Sequence, residues 1–199
     1  MDDGMRAAWD ARYADQDDVW GSDANRFLVQ IAAELPPGKA LDLGSGQGRN
    51  AFWLAGRGHM VTGLELSPVA VDQATAVAEE HGLDATFEAL DLTTWNPDGE
   101  EWDLVVLAYL QLPAEIRRPI HAVAATAVAP GGRLIVIAHH RDNLDHGVGG
   151  PPYPEVLFTE DDLAEDFVAL DIERNERMLR PTDHGDAIDV VLVASRPSP

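Results

Sequence analysis

The sequence predicts a doubly wound α/β fold, with a seven-stranded sheet that is mostly parallel and an antiparallel last strand. Three observations carry this. Short apolar runs alternate with stretches of helical spacing along most of the chain. The run Leu104-Val105-Val106-Leu107 is continuously apolar, as in a parallel strand covered on both faces. The last two apolar runs, about residues 168–174 and 188–195, have no helical stretch between them. They read as an antiparallel hairpin added to the parallel sheet.

The elements follow in order. Residues 40–43 form a first short strand, followed by a glycine-rich loop and a helix through Phe52, Leu54 and Ala55. Residues 59–66 form the second strand. Ser67 is placed to cap a helix that starts at Pro68 and runs to about His81, where Gly82 ends it. Residues 85–90 and 102–108 are the third and fourth strands, and 113–128 is helical. Pro130-Gly131-Gly132 reads as a turn before a fifth strand at 133–139. A Gly/Pro-rich loop spans 143–154, and Thr159 caps a short helix. Trp9 and Tyr13 lie four apart on a helix that precedes all of this. The expected organisation is a helical lead-in or lid at 1–36 and one domain at 37–199.

Composition narrows the function. The 199 residues include no Cys, so thiolate nucleophiles, disulfides and iron–sulfur clusters are excluded. The formal charge of −21 opposes binding to nucleic acid or to an anionic membrane. Lys occurs once against 13 Arg, and Asp (22) outnumbers Glu (13). A high-salt host and a GC-rich genome both fit the Arg excess, while the large net charge favours the former. Residues 1–20 hold Asp2, Asp3, Asp10, Asp15, Asp17 and Asp18 with no apolar core, so no targeting segment is read and a cytoplasmic location is expected.

The chemistry sits in Asp42-Leu43-Gly44-Ser45-Gly46-Gln47-Gly48-Arg49-Asn50, which joins the first strand to the first helix. Ligands of doubly wound sheets bind at such strand ends. Glycines here let the backbone approach a ligand, and the helix behind offers free N–H groups. The pattern is G-x-G-x-G. Arg49 stands where a dinucleotide fingerprint has its third Gly, which disfavours a nicotinamide-dependent oxidoreductase. Glu65 ends the second strand 21 residues after Gly44, a spacing suited to accepting from ribose hydroxyls. Asp91 ends the third strand. Its carboxylate can accept from an exocyclic amine, while the backbone N–H of Leu92 donates to a ring nitrogen. An ordinary strand-end carboxylate is the alternative for both acids.

These residues, with Pro130-Gly131-Gly132, resemble the ordered motifs of class I S-adenosylmethionine-dependent methyltransferases. The resemblance runs from about residue 39 to 196. It implies a Rossmann-like sheet and S-adenosylmethionine as cofactor. Gly44, Ser45, Gly46, Gly48 and Asn50 would lie along the methionine portion. Glu65 and Leu66 would take the ribose, Asp91 and Leu92 the adenine, and Ala108 would face the sulfonium. Glu65 stands where the family usually has Asp, and keeps the carboxylate. Trp9-Asp10-Ala11-Arg12-Tyr13, Trp20-Gly21 and Gly48-Arg49-Asn50 are most similar to the tellurite-resistance and thiopurine methyltransferase-like group. That group often has a His-Arg pair where this chain reads Leu179-Arg180.

The expected activity is methyl transfer to a small molecule through a sulfur, selenium, tellurium, nitrogen or oxygen nucleophile. The alternatives are a cofactor-binding regulatory protein without turnover, and a protein or RNA methyltransferase. No catalytic residue is assigned. Tyr109, His139, His140 and Arg180 are candidates, and Trp20 and Tyr13 are candidates for contact with substrate. His139-His140-Arg141-Asp142 with Asp145-His146 invites a metal reading, but spacing alone does not make a site and none is predicted. His59, His81, His121 and His184 read as surface or strand-edge residues. A monomer or homodimer is expected. A field of −21 favours a neutral or cationic acceptor at low salt.

Overall fold

The computed structural model describes residue 1, residues 3–16 and residues 19–198. Asp2, Asp17 and Asp18 of the acidic lead-in lie outside the described residues. The chain divides into two compact units, 1–96 and 97–199.

The first unit opens with helices α1 (Asp3–Ala14) and α2 (Arg26–Ala32). Asn25 caps α2, accepting from the N–H groups of Phe27 and Leu28. Then β1 (Lys39–Leu43), α3 (Arg49–Gly56), β2 (Met60–Glu65), α4 (Pro68–His81) and β3 (Ala85–Ala89) follow, with strand order β3-β2-β1, all parallel. Ser67 caps α4 through Ala70 N–H, and Gly82 ends it at φ +62°, as the sequence predicts. Ala40, Leu41, Leu43, Leu54 and Ala74 are fully buried and form the core of this unit.

The second unit contains β4 (Trp102–Ala108), α5 (Ala114–Ala127), β5 (Val128–His139), the one-turn α6 (Asn143–His146), α7 (Glu160–Asp166), β6 (Asp171–Thr182) and β7 (Gly185–Ser195). Its strand order is β4-β5-β7-β6. β4 and β5 are parallel, and β7 runs antiparallel to both of its neighbours. Thr159 caps α7 in a full capping box with Asp162. The seven strands and the antiparallel hairpin agree with the predicted fold class. Among the described residues no helix is long and apolar enough to cross a membrane.

Three details differ from expectation. Pro130-Gly131-Gly132 is not a turn outside the strand but a bulge within β5. Trp102 pairs with Val128 and Leu104 with Arg133, so four residues loop out between the paired positions. A Cβ at Gly132 would lie 2.9–3.1 Å from three carbonyl oxygens, so only glycine fits there. The sixth strand is Asp171–Thr182 rather than 168–174. The apolar signal at 167–170 belongs to the end of α7, where Phe167 and Leu170 are buried. β6 is an edge strand held by backbone pairing with β7, so its side chains leave little hydrophobic pattern. Finally, His59 and His121 are buried. His59 accepts from Gly38 N–H, and His121 stacks on Phe167 at 4.7 Å beside Asp166.

Candidate cofactor cradle and a second polar cluster

The loop after β1 turns on three glycines with left-handed φ: Gly44 (+76°), Gly46 (+54°) and Gly48 (+89°). Gly44 and Ser45 N–H both donate to Leu64 O at 2.8 and 3.1 Å, which pins the loop to β2. Glu65, at the end of β2, binds the same loop. Its Oε2 accepts from Gly46 N–H and its Oε1 from Ser67 N–H, each at 3.0 Å. Burial raises Glu65 above the usual carboxylate range, and those backbone bonds oppose the shift. Each oxygen still has a lone pair for a ligand hydroxyl.

Asp42 lies just before the loop and is almost fully buried. Its Oδ2 has no hydrogen-bond partner, and neither does the buried Oγ of Ser45. Burial pushes Asp42 up to about 7, with Arg49 acting against the shift and Glu65 for it. Two unsatisfied polar atoms beside a glycine cradle are costly without a ligand to meet them. A ligand bringing a positive charge and hydrogen-bond donors suits them. The sequence reading quoted Asp42 within its motif without giving it a role. The available signal was a lone carboxylate inside the apolar strand Leu41-Asp42-Leu43.

The lead-in covers this loop. A Cβ on Gly46 would sit 3.1 Å from the Tyr13 hydroxyl and 4.0 Å from the Trp20 ring. Trp20 Nε1 donates to Tyr13 Oη at 3.3 Å. Burial, with Glu65 nearby, pushes the Tyr13 phenol up to about 12. Gln47 holds the strap on both sides: its Oε1 accepts from Val19 N–H, and its Nε2 donates to Gln16 O and Gln73 Oε1. Arg49 donates to Trp20 O at 2.9 Å, and Asn50 Oδ1 accepts from Asn25 N–H at 2.9 Å. Asn50 thus ties the lead-in to α3. Tyr13 and Trp20 lie at the glycine loop.

Leu66 and Leu92 are buried at the ends of β2 and β3. Asp91 accepts from Thr93 N–H and Oγ1 and from the Met1 amine. Burial raises it, yet these bonds hold it below the usual carboxylate range.

In the second unit, Ala108 ends β4 half-buried, and Tyr109 follows it at φ +59°. A bulky residue in that region stores on the order of 1–3 kcal/mol and must be held by its surroundings. The holder is Asp189 on β7, which is fully buried. Its Oδ2 accepts from Tyr109 Oη at 2.9 Å and from Arg180 Nε at 2.7 Å. His139 Nδ1 lies 3.1 Å from its Oδ1, and the His139 ring lies against Tyr109, tilted by 34° with 4.8 Å between centroids. Three of the four catalytic candidates therefore meet on a carboxylate that sequence reasoning missed. His140 stands apart: its Nε2 pairs with Glu160 at 2.9 Å and its Nδ1 accepts from Asp142 N–H at 3.0 Å. Both ring nitrogens are engaged locally.

Residues 40–132 match the family profile of the methyltransferase domain. The chain thus carries a class I S-adenosylmethionine-dependent methyltransferase domain, whose cofactor is S-adenosylmethionine. Among curated proteins it is similar to 2-heptyl-1-hydroxyquinolin-4(1H)-one methyltransferase of Mycobacteroides abscessus, with 30% identity over 57% of this chain and 52% of that one. It is also similar to thiocyanate methyltransferase 1 of Brassica oleracea, with 28% identity over 84% of this chain and 76% of that protein. The match thus spans about half the length of the first relative and three quarters of the second. TehB from Haemophilus influenzae shares the fold, with a TM-score of 0.75 at 19% identity, covering 94% of this chain and 67% of that one.

The cradle fits the cofactor. Asp42 Oδ2 and Ser45 Oγ are buried acceptors without partners, of the kind its ammonium group would meet.

Proposed function

We propose that this protein transfers a methyl group from S-adenosylmethionine to a small-molecule nucleophile. The observation that carries this reading is the pair of buried, unpartnered oxygens, Asp42 Oδ2 and Ser45 Oγ, beside the left-handed glycine loop. Gly44, Ser45 and Gly46 would hold the methionine portion, with Asp42 against its positive charge. Glu65 and Leu66 would take the ribose, and Asp91 with Leu92 N–H the adenine. When bound, the cofactor supplies an electrophilic methyl group on a sulfonium, an already good leaving group.

The chain's own work is then alignment and exclusion of water. Tyr13 and Trp20 cover Gly46, so residues 1–36 act as a lid on the cradle. The named relatives that act on thiocyanate and on a hydroxyquinolone support a small acceptor. The net charge of −21 favours a neutral or cationic one at low salt.

Calorimetry with S-adenosylmethionine and S-adenosylhomocysteine tests the reading, followed by turnover with thiols, amines and phenols. Binding of both and methylation of at least one class is expected. Failure of either compound to bind a protein whose circular dichroism shows an intact fold would overturn it. Binding without any turnover would convert the reading to a cofactor-sensing protein. Rates compared at low and at molar salt test the charge argument, since screening at 1 M acts within about 3 Å.

A further inference from the structure

We propose that the Tyr13 hydroxyl is the donor that holds the carboxylate of S-adenosylmethionine, while Asp42 and Ser45 meet its ammonium, so that the lead-in helix selects ligands with an intact amino-acid end. This rests on the cofactor reading above and deepens it, since that reading leaves the carboxylate without a partner. Every residue involved lies in the first unit.

A glycine loop of this kind is expected to offer its own N–H groups to an anion. Here many of them are already spent. Gly44 and Ser45 N–H both donate to Leu64 O, Gly46 N–H donates to Glu65 Oε2, and Gly48 N–H donates to Ser45 O. Acidic groups add a further obstacle. Asp42 and Glu65 are buried at this loop, and Asp10 on α1 accepts from the Ser67 hydroxyl near Glu65. A carboxylate entering the cradle therefore needs a strong donor from outside the loop.

Tyr13 supplies one. Its hydroxyl oxygen lies 3.1 Å from the place a Gly46 Cβ would take, so it stands directly over the loop. That oxygen accepts from Trp20 Nε1 at 3.3 Å, and among the described residues no acceptor takes its own proton. Tyr13 is only 3% exposed, which makes an unspent O–H costly. Burial, with Glu65 nearby, pushes the phenol up to about 12, so it remains a donor at neutral pH. Arg12 and Arg49 are the cations acting on it, and their charge offsets the repulsion between an incoming carboxylate and the acids. The ligand's ammonium cannot take the phenol's proton, because it has no lone pair. A ribose hydroxyl can, but it is a neutral and weaker acceptor than a carboxylate.

The donor is held on a braced helix. Tyr13 sits in the last turn of α1, and its ring stacks on Trp9 with 5.7 Å between centroids. Its backbone oxygen accepts from Gln73 Nε2 at 3.1 Å, and Gln73 Oε1 accepts from Gln47 Nε2 at 2.9 Å. One turn earlier, Asp10 is bonded to Ser67, the cap of α4. These contacts tie the end of α1 to α4 and to the glycine loop, so the hydroxyl is in position before a ligand arrives.

Calorimetry with two ligands decides it: S-adenosylhomocysteine, and its decarboxylated counterpart, which keeps the adenosine and the amine. Tyr13→Phe removes only the hydroxyl. It should weaken S-adenosylhomocysteine about 10–100-fold, the range for a hydrogen bond to a charged group, and leave the decarboxylated ligand within about twofold. The native protein should itself bind the decarboxylated ligand more weakly, by a similar factor. Asp42→Asn should weaken both ligands alike, since both keep the amine. Trp20→Phe removes the donor that orients the hydroxyl and should give a smaller loss, again with S-adenosylhomocysteine alone. An equal loss of both ligands in Tyr13→Phe, or a loss of neither, would overturn the assignment. If circular dichroism shows that Tyr13→Phe does not fold, the native comparison decides, and equal native affinity for the two ligands refutes the proposal. A native protein that binds neither ligand overturns the cofactor reading itself, whereas equal binding of both overturns only the part given to Tyr13.

Discussion

Replacing Asp42 by Asn tests the cradle most directly, because it should stabilise the protein and damage its function. In the folded chain Asp42 sits at about 7, against 3.8 for an ordinary aspartate, and burial is the chief cause. Between these two values the folded protein keeps a proton that the unfolded chain has lost. Stability must therefore fall as pH rises through that window and level off above it. The difference of about 3 units, at about 1.4 kcal/mol per unit, gives about 4 kcal/mol. Asn carries no charge and removes this slope. It is close in shape to the protonated acid, so the variant should match native stability near pH 4. By pH 8 it should exceed it by about 2–4 kcal/mol, the lower figure allowing for an unpaired amide N–H. Urea unfolding at pH 4.5 and 8 measures the difference, and the slopes shared by all other carboxylates cancel. Calorimetry should show the opposite trend for the cofactor: native affinity rises from pH 6 to 8 as Asp42 ionises, while the variant binds at least tenfold more weakly and without that rise. A variant that is destabilised equally at both pH values would show that Asp42 is not a buried carboxylate awaiting a cation.

Gly46→Ala forces φ +54° on a residue with a Cβ and sets that atom 3.1 Å from the Tyr13 hydroxyl. It should cost on the order of 1–2 kcal/mol in a urea melt and weaken S-adenosylmethionine binding at least tenfold. Gly82→Ala, at φ +62° with open space around it, is the control: a similar stability cost with unchanged affinity. Arg117→Met strips one buried partner, 2.8 Å away, from Asp166, which keeps His121 at 2.9 Å and Arg118 at 3.2 Å, and should destabilise the second unit by about 1–3 kcal/mol in urea. Joint replacement with Asp166→Leu should recover part of that loss; no recovery would refute the pairing.

The sequence revealed the cradle more completely than the acceptor region, and the reason lies in distance along the chain. Gly44, Gly46, Glu65 and the Ser67-Pro68 helix start fall within one β-loop-helix-β unit. Their spacing follows from strand and helix lengths, so the spacing alone reports the geometry. Tyr109, His139, Arg180 and Asp189 are scattered over 81 residues and converge only because β7 runs between β5 and β6. Asp189 sits in an apolar run, as Asp42 does. A carboxylate in such a run has to find a partner, which is a signal that something pairs with it but not what. His121 and His59 were misread for the same reason: burial of a polar ring depends on what packs over it.

The linear order of strands and helices, the glycine loop with its acidic companions and the caps at Ser67 and Thr159 were set by the sequence itself, since each depends on neighbours a few residues away. The bulge at Gly132, the length of β6, the seating of Tyr13 over Gly46 and the gathering of three candidates on Asp189 were decided by tertiary structure. Those features depend on backbone pairing and close contact between segments far apart in the chain, and local propensity carries no record of either.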